Sequence, residues 1–244
     1  MIILFTDFGL EGPYVGQLKA TVYNICPQAT IVDLMHDAPM FDVKHSALLL
    51  NSLSHYFPSG CIFCCVVDPG VGSNRNAIVV KADDNYFVGP DNGLFEYILQ
   101  TRERLTTYKI AWTPESLSST FHGRDIFAPI AAQIESGQFG NLKEINPTDI
   151  KRFSWPNDVY EIIYIDHFGN LMTGIKGSSI STKSLFNLKG KKIAYAQTYA
   201  DMRDDELSWY INSNNLVEIG VNQSDASIRC NAHIGDPVDI FGSQ

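Results

Sequence analysis

The chain has 244 residues, 45% of them hydrophobic and 18% charged, with a formal net charge of -9. That composition excludes a disordered tail, and an acidic balance without any block of Lys or Arg argues against a surface that tracks nucleic-acid phosphates or anionic lipid. No window approaches the roughly 20 apolar residues that span a membrane, and "MIILFTDFG" carries no basic leader, so a cytoplasmic protein acting on a small molecule is expected.

In chain order, "IILFTD", "PYVGQLKATVYNIC", "ATIVDLM", "DVKHSALLLNSLSHYF" and "CIFCCVVD" alternate between β-type apolar runs and helix-like segments. Such alternation predicts βαβ units and an N-terminal α/β domain, a mainly parallel, Rossmann-like sheet flanked by helices. The strand candidates end in Asp7, Asp33 and Asp68, each followed by turn formers. Ligands of open α/β sheets bind beyond the carboxyl ends of the strands, so three carboxylates are expected at one rim. Next, "AIVVKA" and "YFVGPDNG" read as a hairpin, "LFEYILQ" as a short helix, and "GRDIFAPIAAQIESG" as a helix closed by Gly137. Beyond "SWPNDV" the segments become short alternating strands, among them "VYEIIYID", "KKIAYAQTYA" and "LVEIGVN". This predicts a small C-terminal β-barrel, dividing the chain into 1–155 and 156–244.

Five cysteines, an odd number, argue against a disulfide framework, and the C-x-x-C spacing in "CIFCCVVD" lies inside an apolar run without a second pair. Buried strand cysteines are expected there, with no chemistry assigned. The "DFG" of "TDFG" occurs without the glycine-rich loop or H-R-D of kinases, and neither G-x-G-x-x-G nor a Walker motif is present. Asp7 is placed either to accept from a ribose diol or to close its own turn. In "VVDPGVGSNR", Gly70 and Gly72 permit close backbone approach and Pro69 stiffens the turn, while Arg75 would keep Asp68 ionised. "FHGRDIFAP" sets His122 before a helix, as a hydrogen-bonding residue or a catalyst, with Asp125 able to serve the helix start. "YIDHFGN" repeats the strand, acid and glycine pattern, and Asn170 either occupies a left-handed turn or reads a base edge.

Together, "TDFG", "VVDPGVGS" with Arg75, "FHGRDIFAP", "IDHFGN" and "VEIGVNQ" resemble the S-adenosylmethionine hydrolases (adenosine-forming), also called hydroxide adenosyltransferases, relatives of the fluorinases and chlorinases. The resemblance runs from Ile3 to about Ile240. It implies a homotrimer, with substrate between the N-terminal domain of one subunit and the C-terminal domain of its neighbour. It further implies Asp68, Arg75 and His122 as the catalytic set, Asp7 at the ribose, Phe41 as an aromatic lining and Asp166 near the methionine amino group. Asn170 and Asn222 fall at the adenine, with Tyr199 as an aromatic face for the base. Gly12 stands where many relatives carry an acid, and Asp68 stands where the halogenases place an aromatic residue, which favours hydroxide over halide.

The implied reaction is attack of water or hydroxide on the 5′ carbon of S-adenosyl-L-methionine, releasing adenosine and L-methionine. No cofactor and no metal is expected. Two other readings compete. One is a metal-dependent phosphoesterase or nucleotidase with Asp7, Asp68, His122 and Asp166 as ligands. The other is a sensor that binds adenosine or S-adenosylmethionine without turnover.

Overall fold

A computed structural model describes residues 1–202 and 205–241. The chain divides into two units, Met1–Ser154 and a second from Trp155 onward. Unit 1 runs β1 (Ile2–Thr6), α1 (Tyr14–Ile25), β2 (Ile31–Met35), α2 (Val43–Ser54), β3 (Ile62–Val66), β4 (Ala77–Ala82), β5 (Asn85–Pro90), α3 (Glu96–Thr101) and β6 (Leu105–Ile110). A π-helical turn over Gly123–Phe127 then leads into α4 (Ala128–Glu135), and β7 (Leu142–Ile145) follows.

Every residue of β1 and β3 is buried. Strands covered on both faces lose the polar alternation of a half-exposed sheet, which is why "IILFT" and "IFCCV" are apolar throughout. Ile2, Leu4, Cys64 and Val66 share a core with Leu18 and Val22 of α1 and Ile130 and Ile134 of α4. On the other face Phe63 stacks on Phe87 at 4.7 Å, and Phe87 meets Phe95 ahead of α3 at 6.0 Å. Cys64 and Cys65 lie inside β3, and burial pushes the Cys64 thiol up to about 12. α2 starts where the Asp42 carboxylate accepts from the His45 amide at 3.2 Å.

The sheet of unit 1 has the order β2-β1-β3-β5-β4-β6-β7. Its β2-β1-β3-β5 half is parallel, and its β5-β4-β6-β7 half is antiparallel. The sheet is therefore mixed and not mainly parallel. The cause is local, because only Asp83 and Asp84 separate β4 from β5, a link too short for a crossover, and Asp83 takes a φ of 54° to make the turn.

Unit 2 contains β8 (Val159–Ile165), β9 (Leu171–Lys176), β10 (Leu185–Leu188), β11 (Lys191–Tyr195), β12 (Leu207–Ile211), β13 (Leu216–Val221), α5 (Ala226–Cys230) and β14 (Asp239–Phe241). These strands form a second seven-stranded sheet, ordered β14-β10-β11-β12-β13-β9-β8. It curls into a half-barrel around Trp209, Phe186, Ile193 and Ile219. The segment before β14 reaches back to β8, where Ile162 N donates to Asp236 O and Val238 N to Tyr160 O, both at 2.9 Å. Among the described residues no helix is long and apolar enough to cross a membrane.

Two glycines offer a check of opposite sign. A Cβ on Gly89 in β5 would sit well inside contact distance of the Cys65 carbonyl oxygen, whereas Gly16 in α1 faces open space. Gly89→Ala is expected to lower stability by about 1–3 kcal/mol through overpacking, and Gly16→Ala to raise it by roughly 0.5–1 kcal/mol. Denaturant midpoints at constant m-value read both.

Candidate active site

β1 and β3 pair in parallel with Thr6 opposite Val66. The residues that follow leave the sheet side by side at its carboxyl edge, the place where such sheets bind ligands. Asp7 N donates to Val66 O at 3.4 Å, and Asp7 and Asp68 line one cavity of about 330 Å³. Burial, opposed by the Phe41 amide, pushes the Asp7 carboxyl up, and the neighbouring Asp68 adds to the rise. That amide donates to Asp7 Oδ2 at 3.0 Å. To do so Phe41 adopts a φ of 61°, while the residue remains 69% exposed on the cavity lining. A bulky residue in the left-handed region is strained.

After Asp68 the chain makes two successive tight turns, Val71 N to Asp68 O at 3.2 Å and Ser73 N to Gly70 O at 3.1 Å. They return Arg75 to the carboxylate it follows. Arg75 Nε donates to both Asp68 oxygens at 2.9 and 3.0 Å, and Nη2 also donates to Oδ2. The same Nη2 lies 2.9 Å from His122 Nδ1, Nη1 donates to Asn76 O at 3.2 Å, and the guanidinium covers the Phe127 ring at 5.2 Å. Gly72, with a φ of 80°, lets this loop press against the segment carrying His122, since a Cβ there would come within 2.5 Å of Ser119 O.

Arg can only donate, so His122 Nδ1 must accept and its proton resides on Nε2. Burial and then the adjacent Arg75 charge hold the His122 imidazole below its ordinary value, with Asp68 and Asp125 opposing. His122 is a neutral imidazole with one N–H to offer. It precedes the π-helical turn, a geometry that recurs at functional sites. Asp125 does not cap the helix start; it accepts from Ser118 N at 2.8 Å and from Arg124 Nε at 2.6 Å, folding the 118–121 loop back onto the turn.

Asp33 is not at this rim. β2 continues two residues past it, and its carboxylate pairs with Lys19 at 2.5 Å and His36 Nε2 at 3.1 Å. Gly12 occupies an exposed turn with a φ of 104°. Phe8, Tyr14 and Phe121, whose rings meet pairwise at 5.3 to 5.9 Å, also wall the cavity and are not among the residues expected there from sequence. Their signal was faint, since single aromatic residues beside turns carry no periodicity. Gly123 belongs with them, because a Cβ there would lie 3.1 Å from the Phe8 ring.

In unit 2 the Asp166 carboxylate is engaged by its own turn. It accepts from Phe168 N at 2.9 Å, Asn170 N at 2.8 Å and Asn170 Nδ2 at 2.9 Å. Asn170 and Tyr199 line a pocket of about 600 Å³. Gln223, in the left-handed region at a φ of 53°, lines it as well, whereas Asn222 is half-buried and outside the lining. Behind this pocket Tyr199, Tyr210 and the buried Glu218 are linked by hydrogen bonds, and burial pushes all three upward. The acid within the apolar run "LVEIGV" was the available signal for Glu218. Among the described residues no group of three or more His, Cys, Asp or Glu side chains converges as a metal site.

Residues 2–146 match the family profile described as the SAM hydroxide adenosyltransferase N-terminal domain, and residues 160–239 match the corresponding C-terminal domain. The chain is 32% identical to the (R)-S-adenosyl-L-methionine hydrolase of Methanocaldococcus jannaschii over 99% of this chain and 95% of that protein. It is 26% identical to a fluorinase from an Actinoplanes species over 72% of this chain and 71% of the other. Among solved structures, an uncharacterized conserved protein from Thermotoga maritima superposes with a TM-score of 0.89 at 32% identity, covering 99% of this chain and 100% of that one. With both halves matched and near-complete coverage by a relative of this identity, the chain belongs to the SAM hydroxide adenosyltransferase family.

Proposed function

We propose that the protein hydrolyses S-adenosyl-L-methionine to adenosine and L-methionine. The observation that carries this reading is the Arg75 guanidinium, which holds the Asp68 carboxylate and His122 Nδ1 together at the edge of the cavity that Asp7 also lines. A water seated on Asp68 donates one hydrogen bond to the carboxylate and receives another from His122 Nε2–H. Its oxygen attacks the 5′ carbon, the C5′–S bond breaks, and the electron pair leaves on the thioether of methionine. The water gives up one proton, released to solvent, so the positive charge of the sulfonium leaves as H⁺ and atoms and charge balance. A sulfonium needs no acid to leave; alignment of the nucleophile is the task, and proximity can supply about 7–11 kcal/mol at its best. Asp7, acceptor-only when ionised, suits the ribose hydroxyls, and the aromatic walls suit a cationic substrate.

We infer the remaining roles from the family. The domains 1–155 and 156–244 divide the work, the Rossmann-like parallel half of the first sheet carrying the catalytic residues and the second, a barrel, contributing Asp166, Asn170, Tyr199 and Asn222 to the adenine and methionine ends. A homotrimer, in which a neighbouring subunit covers the cavity, is supported by the exposure of Met40 (68%) and Phe41 on the lining of unit 1's cavity. Free cysteines fit the reducing cytoplasm. The phosphoesterase reading is disfavoured because among the described residues no three His, Cys, Asp or Glu side chains converge as its ligand set would require.

Incubation with S-adenosylmethionine, with and without a chelator, tests the reaction. Equal release of adenosine and methionine in both is expected; chelator-sensitive phosphate release from a nucleotide, or binding without product, would overturn it. Asp68→Asn removes the charge while keeping the shape, and single-turnover adenosine formation is expected to fall by a factor on the order of 100 to 10,000 with substrate affinity much less affected. A folded variant with an unchanged rate ends the role of Asp68.

The pH dependence follows from His122. Its folded-state value lies below the ordinary imidazole value of about 6.5, so the neutral form that accepts from Arg75 persists on mild acidification. The acid limb of kcat is expected below about pH 6.5. Stability should fall over the same interval, because the unfolded chain takes up a proton there that folded His122 refuses. His122→Gln should flatten that slope, and a stability profile identical to wild type would contradict the assignment.

A further inference from the structure

Beneath the turn that carries Asp7 lies a histidine to which the reaction assigns no step. β1 and β2 pair in parallel with Leu4 opposite Asp33 but Phe5 opposite Met35, so Leu34 is one residue extra in β2. A bulge of this kind re-aims the side chains beyond it. It brings His36 level with Thr6 at the end of β1, where Thr6 Oγ1 lies 2.8 Å from His36 Nδ1 and both residues are buried. Burial would raise the Asp33 carboxyl, but the Lys19 ammonium and then His36 hold it below its ordinary value, so it stays a carboxylate and can only accept. His36 Nε2, 3.1 Å from Asp33 Oδ1, therefore donates. The other ring nitrogen, Nδ1, then accepts from the Thr6 hydroxyl, whose oxygen receives the Phe8 amide at 3.3 Å.

Backbone bonds follow the same path. Gly9 N donates to His36 O at 2.6 Å and Ala38 N to Thr6 O at 3.1 Å. Asp7 thus sits inside a bracket that closes on residues 36–38, and the loop leaving His36 ends at Phe41, whose amide aims the Asp7 carboxylate. That loop holds Phe41 in the left-handed region, a strain that persists only where the surroundings fix it. The Asp42 cap anchors its far end, and His36 anchors the near one. We propose that His36, bonded to Thr6, is a positioning residue for Asp7, setting the place and direction of the carboxylate so that the site discriminates for a nucleoside bearing a 2′,3′-diol. The inference rests on the adenosyl reading above, in which Asp7 meets the ribose hydroxyls. A carboxylate takes both hydroxyls of a diol only from one place and direction, so a loosened loop weakens the hold on the diol and spares the rest of the nucleoside.

Calorimetric affinities for adenosine and 2′,3′-dideoxyadenosine are measured on the full chain, and their ratio reads the hold on the diol. Wild type is expected to favour adenosine by a factor on the order of 100, the scale of two hydrogen bonds to a charged group. His36→Leu fills the space and removes both ring nitrogens. Its preference is expected to fall at least about tenfold, within what a small misplacement can cost, while its affinity for dideoxyadenosine changes little. Thr6→Val should act in the same way from the other side of the bond, and Thr6→Ser, which keeps the hydroxyl, should retain the preference. In an Asp7→Asn background His36→Leu should lower the preference no further, a non-additivity that general loosening would not produce. A folded His36→Leu with the wild-type preference, or one that weakens both nucleosides equally, would overturn the proposal.

If neither His36→Leu nor Thr6→Val folds, the wild-type protein crystallised with adenosine decides. Asp7 is expected on the ribose hydroxyls with the Phe41 amide still on Oδ2 and the Thr6–His36 bond intact. A carboxylate that has turned away from Phe41 to reach the ribose is not pre-set, and would overturn the inference. Wild type that prefers adenosine while His36→Leu keeps that preference refutes the positioning role alone. Wild type that binds neither nucleoside, or both equally, refutes the ribose role of Asp7 with it.

Discussion

One guanidinium organises the first unit. Arg75 spends Nε and Nη2 on Asp68, shares Nη2 with His122, gives Nη1 to the Asn76 carbonyl and lays its face on Phe127. It thereby ties the end of β3, the loop before β4 and the π-helical turn into one assembly. Its side chain is 9% exposed and that of Asp68 4%, so the pair is desolvated on both sides. A buried pair adds little net stability, yet removing one partner strands a charge at a cost of about 3–5 kcal/mol. The arrangement also needs the planar fork of arginine, since a lysine ammonium could not reach two carboxylate oxygens and an imidazole from one fixed plane.

Close backbone approach and local strain bring the other pieces to that cation. Gly72 lets the loop after Asp68 touch the chain just before His122, and Gly123 makes room for the Phe8 ring. Phe41 bears the opposite burden, holding a left-handed φ so that its amide can reach Asp7. Strain of this kind costs on the order of 1–3 kcal/mol and persists where the surroundings fix it. Here the fixing elements are the Asp42 cap at the start of α2 and the β1–β3 pairing that places Asp7.

Much of this was legible in the sequence for identifiable reasons. The runs before Asp7 and Asp68 are strands because double-sided burial demands unbroken apolar residues, and proline and glycine mark where they stop. The segments taken as helices ahead of β2 and β3 are α1 and α2, which present Leu18, Val22 and Leu48 to Leu50 to the core. Asp33 misled because an acid inside a strand, paired with Lys19 and His36, looks the same in sequence as an acid at a strand end. Of the antiparallel half of the first sheet the β4–β5 hairpin was legible, whereas β6 and β7 escaped because they are only partly buried, with Thr and Lys among their residues. The glutamate and tyrosines behind Asn170 were hidden for another reason. Their meaning lies in cross-strand contacts between β12 and β13, where Tyr210 pairs with Glu218, and no local pattern announces a register.

The charges around unit 1's cavity bear on turnover as well as on binding. Arg75 cancels Asp68, His122 is neutral, and Asp7 is left as the uncompensated anion. S-adenosylmethionine carries one net positive charge, from a sulfonium and an ammonium against a carboxylate, so a cavity of net charge near minus one attracts it. Hydrolysis converts that charge into a released proton, leaving neutral adenosine and zwitterionic methionine. The electrostatic attraction that favoured the substrate is therefore absent for the products. The partial burial that pushes Asp7 upward strengthens this contrast, because a less hydrated carboxylate gains more from a cation and holds a neutral diol by hydrogen bonds alone. In the role proposed for it, Asp7 would recruit the substrate and release the nucleoside without any change in conformation.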